Sequence, residues 1–416
     1  MKFSATLFTA VLTAVTVVSA VPFQRRAGAG AVRKMAGTTR LDAAGAAYFL
    51  SNDPNENQIL VATINADGSL NLDSAVDAGG RGSHGKADGP DALFSQGSIK
   101  ASKKGKVLAA VNPGSDTVSL FSINAKNPTK LTALGDPVST EGEFPISVAF
   151  NADGTRFCVL NGGRVNGVNC YSVDKKLGPL AINNSLRLLT DKLKTDTPPA
   201  GPAGTASHIL FSEDGKQLIV SVKGTPPNAG FFAVWDVAAD GSLSADFKQV
   251  APAKGGLLPF GMSVIPGKNA ILATDAGIGF DVLDLADDSK SSANAIDGQV
   301  ATCWSAFSSK TGNFYVTDIG TSAVTEVHVD DNLKGTIVGQ TLLTPGSATI
   351  DLDIGTVNGR DFAYVLAANA TSVDVIALDS PGLAERFSTL DISGPTSAAG
   401  ISINPNNLQG MTVFTV

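Results

Sequence analysis

The sequence predicts an all-β fold, a seven-bladed β-propeller with one blade closed by both chain ends. Three observations carry that expectation. From Gly45 onward the chain repeats one theme: an apolar strand, a short polar turn, a second strand that often ends in Asn or Asp, then two more strands. Successive first strands lie roughly 40 to 60 residues apart, the length of a four-stranded blade with its loops. With 44 Gly and 20 Pro in 416 residues, turns are plentiful enough for many short strands, and a helical bundle is disfavoured.

Ahead of the repeat, residues 1–20 carry Lys2, an apolar run through Leu7, Val11, Leu12, Val15, Val17 and Val18, and a small-residue exit at Val18-Ser19-Ala20. This is the pattern of a secretory signal peptide, and it falls short of the ~20 apolar residues of a membrane span. Residues 21–26 read as a short propeptide ending in the dibasic pair Arg25-Arg26. The mature chain is then residues 27–416, a single propeller domain, expected outside the cell or at the cell wall and as a monomer. Loss of Lys2, Arg25 and Arg26 leaves 28 basic residues against 38 acidic ones, a formal charge of −10. The remaining basic residues are scattered, which argues against a nucleic-acid partner, and no later segment reads as a membrane span.

Within the repeat, first strands start at Gln96-Gly97-Ser98-Ile99, Ile146-Ser147-Val148, Ser207-His208-Ile209, Gly261-Met262-Ser263, Cys303-Trp304-Ser305 and Ala348-Thr349-Ile350, with a seventh start at Gly400-Ile401-Ser402-Ile403. Strand-like runs at 46–50, 58–62 and 69–72 stand alone at the N-terminus, so one blade draws on both ends and two free sheet edges disappear. Both 46–50 and 411–416 are candidates for the second strand of that blade. The turns Asn151-Ala152-Asp153-Gly154, Ser212-Glu213-Asp214-Gly215 and Ser309-Lys310-Thr311-Gly312 join first strands to second, with Gly where positive φ is needed.

Of three cysteines, Cys158 and Cys170 flank a turn-rich segment, and a hairpin centred on Arg164 sets them opposite each other, so a cross-strand disulfide is expected. Cys303 is left as a free thiol, read as a small buried hydrophobe. Asn183-Asn184-Ser185 and Asn369-Ala370-Thr371 are N-glycosylation acceptors in predicted loops.

Ligands are expected on the face that carries the second-to-third and blade-to-blade loops. Second strands end in Asn112, Asn161, Lys223, Asp275 and Asp318; Asn and Asp are ordinary turn residues there, whereas Lys223, like Arg164 in the hairpin loop, supplies a cation. The blade-to-blade loops add Glu143, His208, Phe260, Trp304 and the approach to Gln96. His208 opens a first strand, where an imidazole transfers protons near neutral pH or simply fills structure. His328 reads as solvated, and His84 lies in a Gly-rich loop. No metal or cofactor signal stands out: there is no His pair at ligand spacing, no Cys-x-x-Cys, and the Gly80–Lys86 spacing lacks the Ser or Thr of a phosphate loop.

The run Ser207-His208-Ile209-Leu210-Phe211-Ser212-Glu213-Asp214-Gly215-Lys216 resembles the blade motif of the seven-bladed lactonase family, which includes bacterial 6-phosphogluconolactonases and fungal 3-carboxy-cis,cis-muconate cyclases. Gln96-Gly97-Ser98-Ile99, Val111-Asn112-Pro113-Gly114, Gly142-Glu143-Phe144-Pro145, Val222-Lys223-Gly224 and Cys303-Trp304-Ser305 resemble a secreted fungal branch of it. The resemblance implies a lactone-opening or lactone-forming enzyme acting on a small carboxylate. His208 would then move the proton, Arg164 and Lys223 would hold the carboxylate beside Gln96 and Trp304, and Glu143 or Asp275 would assist. Pro259-Phe260-Gly261 departs from relatives that carry a second His after Pro. A non-catalytic surface glycoprotein, an adhesin or antigen that binds a glycan or protein, is therefore the alternative.

Overall fold

A computed structural model describes residues 29–35 and 43–416; the leader and processing expectations at 1–26 lie outside the described residues. Seven antiparallel sheets stand around one axis. Their innermost strands are Ile99–Ser102, Pro145–Phe150, Ala206–Phe211, Pro259–Val264, Thr302–Ser308, Thr349–Val357 and Gln409–Thr415, which we number as blades 1 to 7. In blades 1 to 6 the chain runs outward from these strands, so six of the seven expected starts are first strands.

The seventh is corrected. Residues 401–404 form no strand, because the chain bends into the 3-10 turn Pro405–Asn407, where proline at the first position and the Asn404 side chain set the cap. The innermost strand of blade 7 is Gln409–Thr415, and Ala43–Leu50 lies second, followed by Gln58–Asn65 and Leu70–Asp77. The ambiguity over blade 7 resolves in favour of 46–50 as the second strand. Both chain ends therefore share the blade, with Ala47 opposite Val413 and Tyr48 opposite Thr412. The short strand Val32–Lys34 pairs outside Leu70–Asp77 and was not foreseen.

Second strands such as Val107–Asn112 and Ala270–Asp275 are buried along their whole length. Each is covered on both faces by neighbouring blades, so its sequence is a near-continuous apolar run rather than an alternation. The first-to-second turns place Gly154, Gly215 and Gly312 at φ of 64°, 70° and 70°, the left-handed region their spacing calls for. In blade 2, Cys158 pairs directly with Cys170 and the two are bridged, their Cα atoms 4.0 Å apart. Cys303 is free and buried.

Near their starts the innermost strands of blades 2 to 6 each shift register against the second strand, between Pro145 and Ser147, Ala206 and His208, Pro259 and Met262, Thr302 and Trp304, and Ile350 and Leu352. A bulge adds one residue and re-aims the side chains around it. Here it does so five times at the same level of the axis, and that level carries the site.

Candidate functional site in the central channel

On the face where the innermost strands begin, residues 91–97 cross the axis and close it. The segment bonds to four different blades. Gln96 N–H donates to Ser207 O (3.1 Å), the Ser95 hydroxyl to Ile146 O (2.8 Å), the Trp304 indole N–H to Ser95 O (2.9 Å) and the Gln409 amide to Asp91 Oδ1 (2.6 Å). The Gln96 side chain donates to Ser305 O (2.8 Å) and accepts from Ser305 N–H (3.0 Å). Gly261 makes room for it, since a Cβ there would lie 2.0 Å from Gln96 Oε1.

Beneath this plug is a cavity of about 340 Å³ lined by all the innermost strands except that of blade 7. Its deep residues, Gln96, His208 and Ser305, are buried, whereas Lys100, Phe150, Val264 and Phe307 toward the strand ends are partly exposed. The cavity therefore opens on the first-to-second hairpin face, opposite to the face expected from sequence, because residues 91–97 seal the expected one.

Two of the expected site residues, His208 and Gln96, line this cavity. His208 Nδ1 accepts the Met262 N–H at 3.0 Å, which leaves the ring proton on Nε2. Burial, with a smaller contribution from the Lys100 ammonium, lowers its pKa to about 3. The imidazole is thus a neutral N–H donor rather than a proton shuttle at neutral pH. Its tautomer follows from the hydrogen bond it makes.

Lys223 is buried behind the plug. Its ammonium donates to Phe94 O (2.7 Å) and the Ser207 hydroxyl (2.6 Å), lies 3.4 Å from Ala206 O, and sits 4.4 Å from the Phe260 ring centre. No donor is left for a ligand. Trp304 is buried beside Phe260, ring centres 5.1 Å apart. Asp275 accepts the Leu257 (2.7 Å), Leu258 (3.0 Å) and Gly277 (2.8 Å) N–H groups as a loop cap. Arg164, largely exposed, faces Glu143 at 3.6 Å, and neither reaches the cavity. Asn183 and Asn369 are exposed. His84 contacts the Gly85 and Gly89 carbonyls through its two ring nitrogens, and His328 contacts Asn313.

Sequence reasoning missed Lys100, Asp353, Ser263 and Ser305. Lys100 Nζ lies 3.8 Å from Asp353 Oδ2, which also accepts the Thr412 hydroxyl (2.9 Å) and the Val413 N–H (3.0 Å). The Ser263 and Ser305 hydroxyls are 2.9 Å apart. The available signal was a cation inside a first strand, Ile99-Lys100-Ala101-Ser102, since no other innermost strand carries Lys or Arg. Among the described residues no cluster of three or more His, Cys, Asp or Glu is arranged to hold a metal, and no helix is long and apolar enough to cross a membrane.

The lowered His208 pKa has a measurable consequence. The native state excludes a proton that the unfolded chain binds below pH ~6.5, so this contribution to stability is complete above that pH and is lost as pH falls toward 3. Between pH 6 and 4 the stability advantage of the parent over His208→Asn should shrink by up to roughly 1.4 kcal/mol per pH unit. Urea midpoints of both proteins across that range check it, and parallel curves would contradict a buried neutral imidazole.

Residues 42–185 match the family described as Lactonase, 7-bladed beta-propeller. The chain is similar in structure to a candidate 6-phosphogluconolactonase of Bacteroides fragilis, with a TM-score of 0.61 and 16 % identity over 90 % of this chain and 99 % of that one. A candidate 6-phosphogluconolactonase of Bacteroides uniformis gives a TM-score of 0.58 and 18 % identity over 84 % and 98 %. Apo AztD of Citrobacter koseri gives 0.53 and 9 % over 89 % and 98 %. At these identities the likeness is one of fold. No curated protein sequence matches.

Proposed function

We propose that the protein is a secreted lactonase-like or muconate-cyclase-like β-propeller that opens or closes a small lactone, or isomerises a small carboxylate, in the central channel. The observation that carries this reading is the convergence of the Lys100 ammonium and the His208 Nε2–H donor on one cavity. The partial match to the lactonase family, over residues 42–185, supports it.

In this reading Lys100 takes the carboxylate role that the sequence suggested for Arg164 and Lys223, and Asp353 orients it. His208 donates from Nε2 to the lactone carbonyl oxygen, where negative charge develops as water adds to the carbonyl carbon; the ring C–O bond then breaks and the ring oxygen takes up the proton that the water gives up. A neutral, fixed donor stabilises that charge without reorganising. The Ser263–Ser305 hydroxyl pair lies on the same wall and offers one further donor. Secretion follows from the N-terminal pattern, with glycans on Asn183 and Asn369.

Mature protein from residue 27, incubated with 3-carboxymuconate and a panel of sugar, aryl and alkyl lactones, is expected to turn over at least one of them. The variant His208→Phe should lower kcat by about 10² to 10³-fold, the usual cost of one such donor. Turnover no faster than in that variant would overturn the reading and favour the non-catalytic glycoprotein that binds a glycan or protein.

A further inference from the structure

We infer that the channel selects a monoanionic carboxylate or lactone with an apolar body, and rejects polyanions, both phosphorylated sugar lactones and the tricarboxylate 3-carboxymuconate, so that of the panel above a lactone is the substrate it takes. This rests on the proposed channel site only for its location, and it concerns what the site binds rather than what it does to it.

Most polar groups of the cavity wall are engaged at least once. Gln96 donates to and accepts from Ser305, which leaves one N–H of its amide. Asn151 is engaged by Thr155 and by the Arg156 N–H. The Ser102 hydroxyl accepts the Gly105 N–H. Asp353 has Oδ2 on Thr412 and Val413 and Oδ1 on the Ile354 N–H. What remains is the Lys100 ammonium, which faces Asp353 at 3.8 Å, and a few neutral donors: His208 Nε2–H, one O–H of the serine pair, the Ser102 O–H, and one N–H each of the Gln96 and Asn151 amides. The other eleven of the nineteen lining residues are apolar, among them Leu210, Val264, Phe307 and Leu352.

Lys100 is the one cation that lines the cavity and Asp353 stands beside it, so the site matches a single carboxylate, with His208 Nε2–H left for one carbonyl. The cavity lies at the small end of ligand sites. A ligand with its carboxylate at Lys100, near the mouth, and its carbonyl at His208, near the plug, lays its body along the apolar wall. A phosphorylated sugar lactone brings a dianion and several hydroxyls to that wall. Each hydroxyl buried without a partner weakens binding by about tenfold or more.

Titration calorimetry on the mature full chain tests this with octanoate, octan-1-ol and 6-phosphogluconate as probes. Octanoate is expected to bind at least tenfold more tightly than 6-phosphogluconate. Lys100→Met should weaken octanoate at least tenfold and leave octan-1-ol unchanged, and Lys100→Arg should restore octanoate. The Met variant keeps its fold because Asp353 retains its Thr412, Val413 and Ile354 partners. Tighter or equal binding of 6-phosphogluconate, indifference of octanoate to Lys100→Met, or no octanoate binding would each overturn the inference. Lactone turnover does not enter these measurements, so octanoate binding without turnover would sink the proposed function and leave this inference standing.

Discussion

A chain ending at Leu408 is expected to lose the folded propeller altogether. The missing strand, Gln409–Thr415, is the innermost strand of blade 7, and it closes the ring between the innermost strands of blades 6 and 1. Met411 and Phe414 are buried, and each contributes about 1.5 to 3 kcal/mol of burial. The polar losses are larger. Asp351 would lose its bond from Gly410 N–H (2.7 Å), and Asp353 its bonds from Thr412 and Val413. The plug would lose the Gln409 amide from Asp91 and Ser95, and the strand Ala43–Leu50 would lose its paired backbone along one edge. Unsatisfied buried groups cost about 1 to 3 kcal/mol each, so the total exceeds the ~5–15 kcal/mol that holds a domain together. Circular dichroism should show no cooperative melt. A milder variant, Gly45→Ala, keeps the whole chain but brings a Cβ to 2.4 Å from Phe414 O, and should lower the melting temperature. A truncated chain that melts cooperatively near the parent temperature would show that the last strand is dispensable.

Much of the ring was legible in sequence because propeller physics repeats. Each second strand is enclosed by its neighbours and must be apolar, and the first hairpins of blades 2 to 6 carry Gly at positive φ, a place Lys106 takes in blade 1, so six blades announce themselves. The disulfide was legible for a similar reason, since pairing about the Arg164 turn leaves one register that puts Cys158 opposite Cys170. Blade 7 was harder. Ile401-Ser402-Ile403 alternates like a strand, but alternation is a local property, and the cap at Asn404-Pro405 overrides it.

The site was less legible than the ring. The position of His208 on a first strand was readable, and so was the face it shares with Gln96. The orientation of the cavity was not, because it depends on residues 91–97, a loop with no periodic signal, whose hydrogen bonds are mostly to residues distant in sequence. For the same reason Lys223, expected at a strand end to hold a carboxylate, is a buried cation bonded to the plug. Lys100 was passed over because a single cation on a strand face reads as solvated unless the face is known to line a channel.

Lys223→Met is expected to cost about 3 to 5 kcal/mol, the usual range for removing one partner of a buried charge pair. The ammonium holds Phe94 O and the Ser207 hydroxyl, and its charge opposes the burial that pushes the Asp91 carboxyl up. Methionine fills similar space without donors, so Phe94 O, Ala206 O and the Ser207 hydroxyl lose a donor and Asp91 loses its countercharge. Asp91 keeps the Gln409 amide and the Ser95 N–H, which anchor it but do not neutralise it. The sign of the pH dependence follows. A carboxyl whose folded pKa is raised binds a proton on folding, so stability grows as pH falls, and removing the cation raises that pKa further. The deficit of the Met variant should therefore shrink on going from pH 8 to pH 5, while Asp91→Asn added to Lys223→Met should recover part of it at pH 8. Urea unfolding of the two single variants and the double variant at both pH values measures the coupling directly. A deficit that is equal at pH 5 and pH 8, with no recovery in the double variant, would mean that Lys223 holds the plug through its hydrogen bonds alone.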